Sequence, residues 1–120
     1  MVKFFRNKET KEVMMVLSDE QPKENEVELK ANDTDAAQEK HVPVITLDGK
    51  NVHVAVGEVE HPMTEPHYIM FIVLVTDKKA EMKKLTPTDK PAADFQLADG
   101  EKVVAAYEYC NLHGLWVKNM

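Results

Sequence analysis

Short apolar runs, several of them β-branched and each ended by charged residues, proline or an Asp-Gly pair, set the pattern of this chain. Residues 2–5 and 12–17 read as two strands around the turn Asn7-Lys8-Glu9-Thr10, and 27–30 as a third, after a solvated loop over 18–26. Residues 31–38 are polar and alanine-containing, a linker with room for one helical turn. Beyond it, 42–47 and 51–56 form a hairpin across Asp48-Gly49. In the second of these strands Val52, Val54 and Val56 share one face, which sends His53 and Ala55 to the other.

The run 69–75 is apolar throughout and predicts a central strand covered on both sides. Residues 77–84 are charged and read as exposed, and 85–91, with two prolines, as loop. Further strands follow at 95–97 and 103–109 around Asp99-Gly100, then at 115–117. Six or more short, turn-punctuated strands without a convincing amphipathic helix predict an all-β fold: an antiparallel β-sandwich with a small N-terminal β lobe. We place the lobe and its linker at 1–35 and the main domain at 36–120.

At 120 residues the chain can bury a real core without disulfides or structural metal. A formal charge of −6 argues against a nucleic-acid partner and against adhesion to anionic lipid. Residues 1–10 lack a signal-peptide-like apolar stretch, and the run 68–75 is too short to span a bilayer. The single cysteine, Cys110, fits a reducing compartment, so a cytoplasmic location is expected.

That cysteine sits in Tyr109-Cys110-Asn111-Leu112-His113-Gly114, where Cys-x-x-His spacing lets a thiolate and an imidazole reach one metal from a single turn. His41 stands before Val42-Pro43, and His61 and His67 flank a loop stiffened by Pro62 and Pro66. If that loop is extended, the two histidines, six apart, share a face. Backbone amides in the turn after Cys110 can point at its sulfur. Singly, each residue has an ordinary explanation: a histidine beside proline is usually a loop residue, and a lone buried cysteine is usually inert packing. His53, mid-strand opposite the valine face, reads as a packed or solvent-facing histidine rather than a ligand.

Taken together, four imidazoles and one thiolate exceed the needs of a closed structural zinc site, whereas an octahedral, redox-active iron accepts them and keeps one position open. Glu39 and Lys40 precede His41 and so lie near any metal it binds. A carboxylate there could fill the open position at rest, and an ammonium could draw in a small anion. A blue-copper electron carrier is the alternative, but Met120 is far from His113 and two histidines would be left over.

The segments EKHVPVI (39–45), VAVGEVEHPMTEPHYI (54–69) and YEYCNLHGLW (107–116) closely resemble the superoxide reductases of the neelaredoxin and desulfoferrodoxin group. The resemblance implies an immunoglobulin-like β-sandwich and one iron held by His41, His61, His67 and His113, with Cys110 as the axial sulfur. It casts Glu39 as the sixth ligand of the ferric state and Lys40 as the residue that attracts superoxide and assists protonation. The implied reaction is one-electron reduction of superoxide to hydrogen peroxide, with a rubredoxin-like donor returning the electron.

Two-iron relatives hold a second iron on four cysteines in a small N-terminal domain. Residues 3–13 resemble that domain without its cysteines, which makes this a one-iron form. Apolar residues 13–17 of the lobe suggest a homo-oligomer, with a dimer favoured. Pro66, where many relatives carry an acidic or polar residue, is expected to stiffen the loop.

Overall fold

The computed structural model describes residues 2–34 and 36–120, so Asp35, at the expected domain boundary, lies outside the described residues. The chain divides into two compact units, Met1–Lys30 and Ala31–Met120. In the first, β1 (Lys3–Asn7), β2 (Val13–Val16) and β3 (Glu26–Glu28) form an antiparallel sheet in the order β2-β1-β3. Phe4 and Phe5 are its buried apolar residues. The β1–β2 turn is the expected one: the Asn7 side chain accepts hydrogen bonds from the Glu9 and Thr10 amides, at 2.9 and 3.0 Å.

The second unit opens with a single helical turn, α1 (Gln38–His41), and then builds seven strands. These are β4 (Pro43–Asp48), β5 (Asn51–Val56), β6 (Ile69–Thr76), β7 (Ala80–Lys84), β8 (Ala92–Gln96), β9 (Val103–Cys110) and β10 (Gly114–Asn119). They pair in two antiparallel sheets, β10-β9-β6-β7 and β4-β5-β8. This is the immunoglobulin-like sandwich expected from the sequence.

Strand alternation decides what fills it. Val52, Val54 and Val56 of β5 and Ala93 and Phe95 of β8 meet Ile69, Ile72 and Leu74 of β6 and Ala106 and Cys110 of β9 in one cluster. Each fully buried aliphatic side chain there stabilises the fold by roughly 1.5–3 kcal/mol. β6 is buried on both faces, as its unbroken apolar run predicts, with Phe71 stacked on Tyr109 on the outer side.

Residues 77–84 carry no buried side chain, as their charge predicts, but 80–84 also form a strand that the pattern does not announce: β7, the edge partner of β6. An edge strand needs pairing on one side only, and its charges discourage association along the other. Among the described residues no helix is long and apolar enough to cross a membrane.

Candidate metal centre

Four loops and turns around one end of the sandwich bring the histidines and Cys110 together. The ring-nitrogen or sulfur donor atoms of His41, His61, His67 and Cys110 all lie within 4.8 Å of one another. His113 stands outside that set of four, but its ring completes a circuit of imidazoles. Centroid separations run 4.8 Å from His41 to His61, 4.7 Å from His61 to His67, 5.1 Å from His67 to His113 and 4.9 Å from His113 back to His41. Each neighbouring pair meets edge to face, at 72–80°. This closed ring of four side chains leaves its ring nitrogens free to converge.

Each member is held differently. The His41 Nδ1–H donates to the Ala37 carbonyl at 2.7 Å and the His61 Nδ1–H to the Pro62 carbonyl at 2.7 Å. A carbonyl only accepts, so both rings carry their proton on Nδ1 and present a bare lone pair on Nε2. Those two Nε2 atoms nonetheless face each other at 3.2 Å. The buried Nε2 of His67 has no hydrogen-bond partner among the described residues. Converging lone pairs and an orphaned ring nitrogen repel or waste one another unless a cation lies between them. Nitrogens bound at right angles to one ion at about 2.1 Å would stand about 3.0 Å apart, so the residues fit a metal.

The electrostatics agree. Burial holds the His61 ring at a pKa of about 4, opposed by its bond to Pro62 and reinforced by His41, His67 and His113. Burial likewise lowers His41 and His67, and in both the Lys40 ammonium adds to the effect. Burial therefore keeps these three rings, His41, His61 and His67, neutral and ready to ligate at neutral pH.

Cys110 ends β9, and Gly114, its register partner, opens β10, so residues 111–113 form a three-residue hairpin loop. Gly114 closes it with φ +84°, a conformation that favours glycine. The sulfur is fully buried, 3.6 Å from His61 Nε2. Burial pushes the thiol up, while backbone hydrogen bonds from His113 and Leu112 pull it down, the amide arrangement anticipated for this turn. Across from Cys110 the β6 register shifts between Ile69 and Phe71. This bulge beside the sulfur turns both Ile69 and Ile72 into the core.

His61 and His67 converge by a route other than an extended strand face. Thr64 and His67 exchange backbone hydrogen bonds of 3.0 and 2.9 Å around Glu65-Pro66, so the segment is a tight turn. Pro66 suits its interior because it has no N–H to lose.

Glu39 and Lys40 lie on α1, exposed beside buried His41. The Glu39 carbonyl accepts the amides of Glu58 at 2.6 Å and Val59 at 3.2 Å. Gly57, with φ +77°, makes that contact possible: a Cβ there would come within 2.6 Å of the Lys40 carbonyl carbon. The Glu39 carboxylate is not part of the donor cluster. His53 stays outside it too, exposed on the outer face of β5 and paired with Asp94 at 2.7 Å. Met120, the weak axial ligand that the blue-copper alternative would call on, is 64% exposed.

Two residues at the site were missed in the sequence. Trp116 is buried, stacks on His41 with centroids 5.0 Å apart, and donates its indole N–H to the His113 carbonyl at 3.0 Å. Glu108 is fully buried on the same face of β9 as Cys110, and neither carboxylate oxygen has a hydrogen-bond partner among the described residues. Burial raises its pKa well above the usual carboxylate range. The period of two running back from Cys110 was the signal that could have placed Glu108 inside.

The desulfoferrodoxin family pattern matches residues 32–119. A desulfoferrodoxin of Clostridium acetobutylicum is 57% identical over 86 residues, 72% of this chain and 66% of that protein, so the match spans about two thirds of its length. A superoxide reductase of Thermococcus kodakarensis is 37% identical over 65% of this chain and 83% of that protein. Among solved structures, that of the superoxide reductase from Treponema pallidum superposes with a TM-score of 0.85 at 35% identity, over 99% of both chains. With its matched segment enclosing every residue of the imidazole ring and the thiol, this chain belongs to the desulfoferrodoxin family.

Proposed function

We propose that this chain is a superoxide reductase, joining superoxide, one external electron and two protons to give hydrogen peroxide without releasing dioxygen. The observation that carries the reading is the closed ring of four imidazoles set against a buried thiol. His41, His61, His67, His113 and Cys110 would hold one iron ion. Bound there, iron supplies the electron by cycling between its ferrous and ferric states, with a soft sulfur donor tuning its potential.

The chain's own residues do the rest. Neutral imidazoles oriented through Nδ1 keep their Nε2 lone pairs fixed, so little reorganisation accompanies the change of charge. The amides of Leu112 and His113 favour thiolate over thiol at Cys110. The sulfur is buried in the core, so substrate arrives from the solvent side, where Lys40 raises the local positive potential felt by His41 and His67. A local cation attracts superoxide even on a chain of net charge −6. Lys40 also offers N–H groups to hydrogen-bond the anion and relay protons from water. Glu39 is the carboxylate we assign to the remaining position at rest; it is exposed here, so that role requires its side chain to swing inward. A small one-electron donor protein of the rubredoxin type would return the electron.

The product ratio tests the reading. With a reductant present, reduction yields one peroxide per superoxide consumed and no dioxygen, whereas dismutation yields half as much peroxide together with dioxygen. The second result would contradict the proposal. Lys40→Gln should lower the second-order rate with superoxide about 10-fold at low ionic strength and flatten its salt dependence. An unchanged rate at low salt would remove Lys40 from the approach path.

A further inference from the structure

Asn111 lies between Cys110 and His113, yet its side chain is engaged with a segment more than forty positions earlier in the chain. Its Oδ1 accepts the Tyr68 amide at 3.0 Å, and its Nδ2 donates to the Pro66 carbonyl at 3.1 Å. Its own backbone N–H donates to the Tyr68 carbonyl at 3.2 Å. The two side-chain bonds therefore grip the main chain immediately before and immediately after His67.

His67 needs such a grip. The rings of His41 and His61 are each aimed by an Nδ1 bond to a backbone carbonyl. Among the described residues no such bond aims His67, whose buried Nε2 has no hydrogen-bond partner. Its position rests on the Thr64–His67 turn, which fixes the local shape of the loop, and on Asn111, which fixes that loop against the hairpin carrying Cys110 and His113.

We infer that Asn111 is the positioning residue that sets His67 in register with Cys110 and His113, joining the donors of the 61–68 loop to those of the C-terminal hairpin. The inference rests on reading His67 as a metal ligand. A side chain that can both donate and accept is required, because one contact is a carbonyl and the other an amide. Loss of a group that orients a ligand typically weakens metal binding about 10- to 100-fold.

The test is a Co²⁺ titration of the metal-free 120-residue chain, read by the cobalt visible spectrum and by emission from Trp116, the single tryptophan, which stacks on His41. Asn111→Ala is expected to weaken Co²⁺ binding about 10- to 100-fold. In a His67→Ala background the same substitution should change affinity by no more than about 2-fold, because its route to the metal is already gone. A purely structural role would leave its effect undiminished there, and that result overturns the proposal, as does unaltered affinity in Asn111→Ala alone. Asn111→Asp keeps an acceptor for Tyr68 and loses the donor to Pro66, so it should fall between; if Asn111→Ala does not fold, the same cycle is run with Asn111→Asp. Failure of the wild-type chain to bind Co²⁺, or unchanged affinity in His67→Ala, would instead refute the metal-site reading, and the proposal with it.

Discussion

Cys110 and Glu108 are buried polar groups two positions apart on the inner face of β9, and they differ in company. Cys110 has two backbone amides at its sulfur and a ring nitrogen 3.6 Å away. The Glu108 carboxyl has no hydrogen-bond partner among the described residues and lies in register between Ile72 and Trp116. Burial raises the pKa of both, but only at Cys110 do neighbouring dipoles oppose the rise. A buried polar residue becomes a site when other groups converge on it; without them it is a local weakness of the fold.

Breaking the better-supported member should do the most damage. Cys110→Ser removes the soft donor from the centre and should lower iron affinity by more than about 100-fold, a larger loss than removing an outer partner brings. Competition with a chelator measures it. Iron retained at wild-type affinity would mean that the four imidazoles suffice.

Replacing the isolated member should do the reverse. Glu108→Met exchanges an unpaired buried carboxyl for an apolar chain of similar length and should raise stability by about 1–3 kcal/mol at pH 7, read from the denaturant midpoint. A loss of stability would show that the carboxyl has a partner, such as a buried water, that makes it useful.

The pH dependence of the metal-free protein gives the subtlest contrast, because the two ends carry opposite signs. His41, His61 and His67 have folded pKa values below that of free imidazole, so the unfolded chain binds more protons. Their contribution is complete above about 6.5 and is lost as pH falls toward the His61 value of about 4. The folded pKa of Glu108 is raised, so its contribution is complete below the ordinary carboxylate value of 4.5 and is lost as pH rises through its folded pKa. Glu108→Gln should remove the fall in stability as pH rises above about 4.5 and leave the curve below about 4.5 in place. A change confined to the acid side would reverse these assignments.

The sandwich was legible because β5, β6 and β9 write their burial into alternation or unbroken apolar runs, and Asp-Gly pairs mark the turns between them. β7 was not, since an edge strand made of Ala-Glu-Met-Lys-Lys is held by pairing to β6 rather than by apolar content. The donor residues stood out because each lies in a short motif beside proline or cysteine. Their support did not. Trp116 against His41 and Asn111 against the 61–68 loop join residues more than forty positions apart, and nothing in either local sequence announces its partner. The convergence of His61 and His67 was expected from extended spacing, and arises from a turn instead.

Metal analysis of the air-oxidised protein, together with its visible spectrum, tests the central claim most directly. The account predicts about one iron per chain and a sulfur-to-iron charge-transfer band that disappears in Cys110→Ser. Copper with an intense copper–thiolate band, zinc with no colour, or an iron band that survives in Cys110→Ser would contradict it.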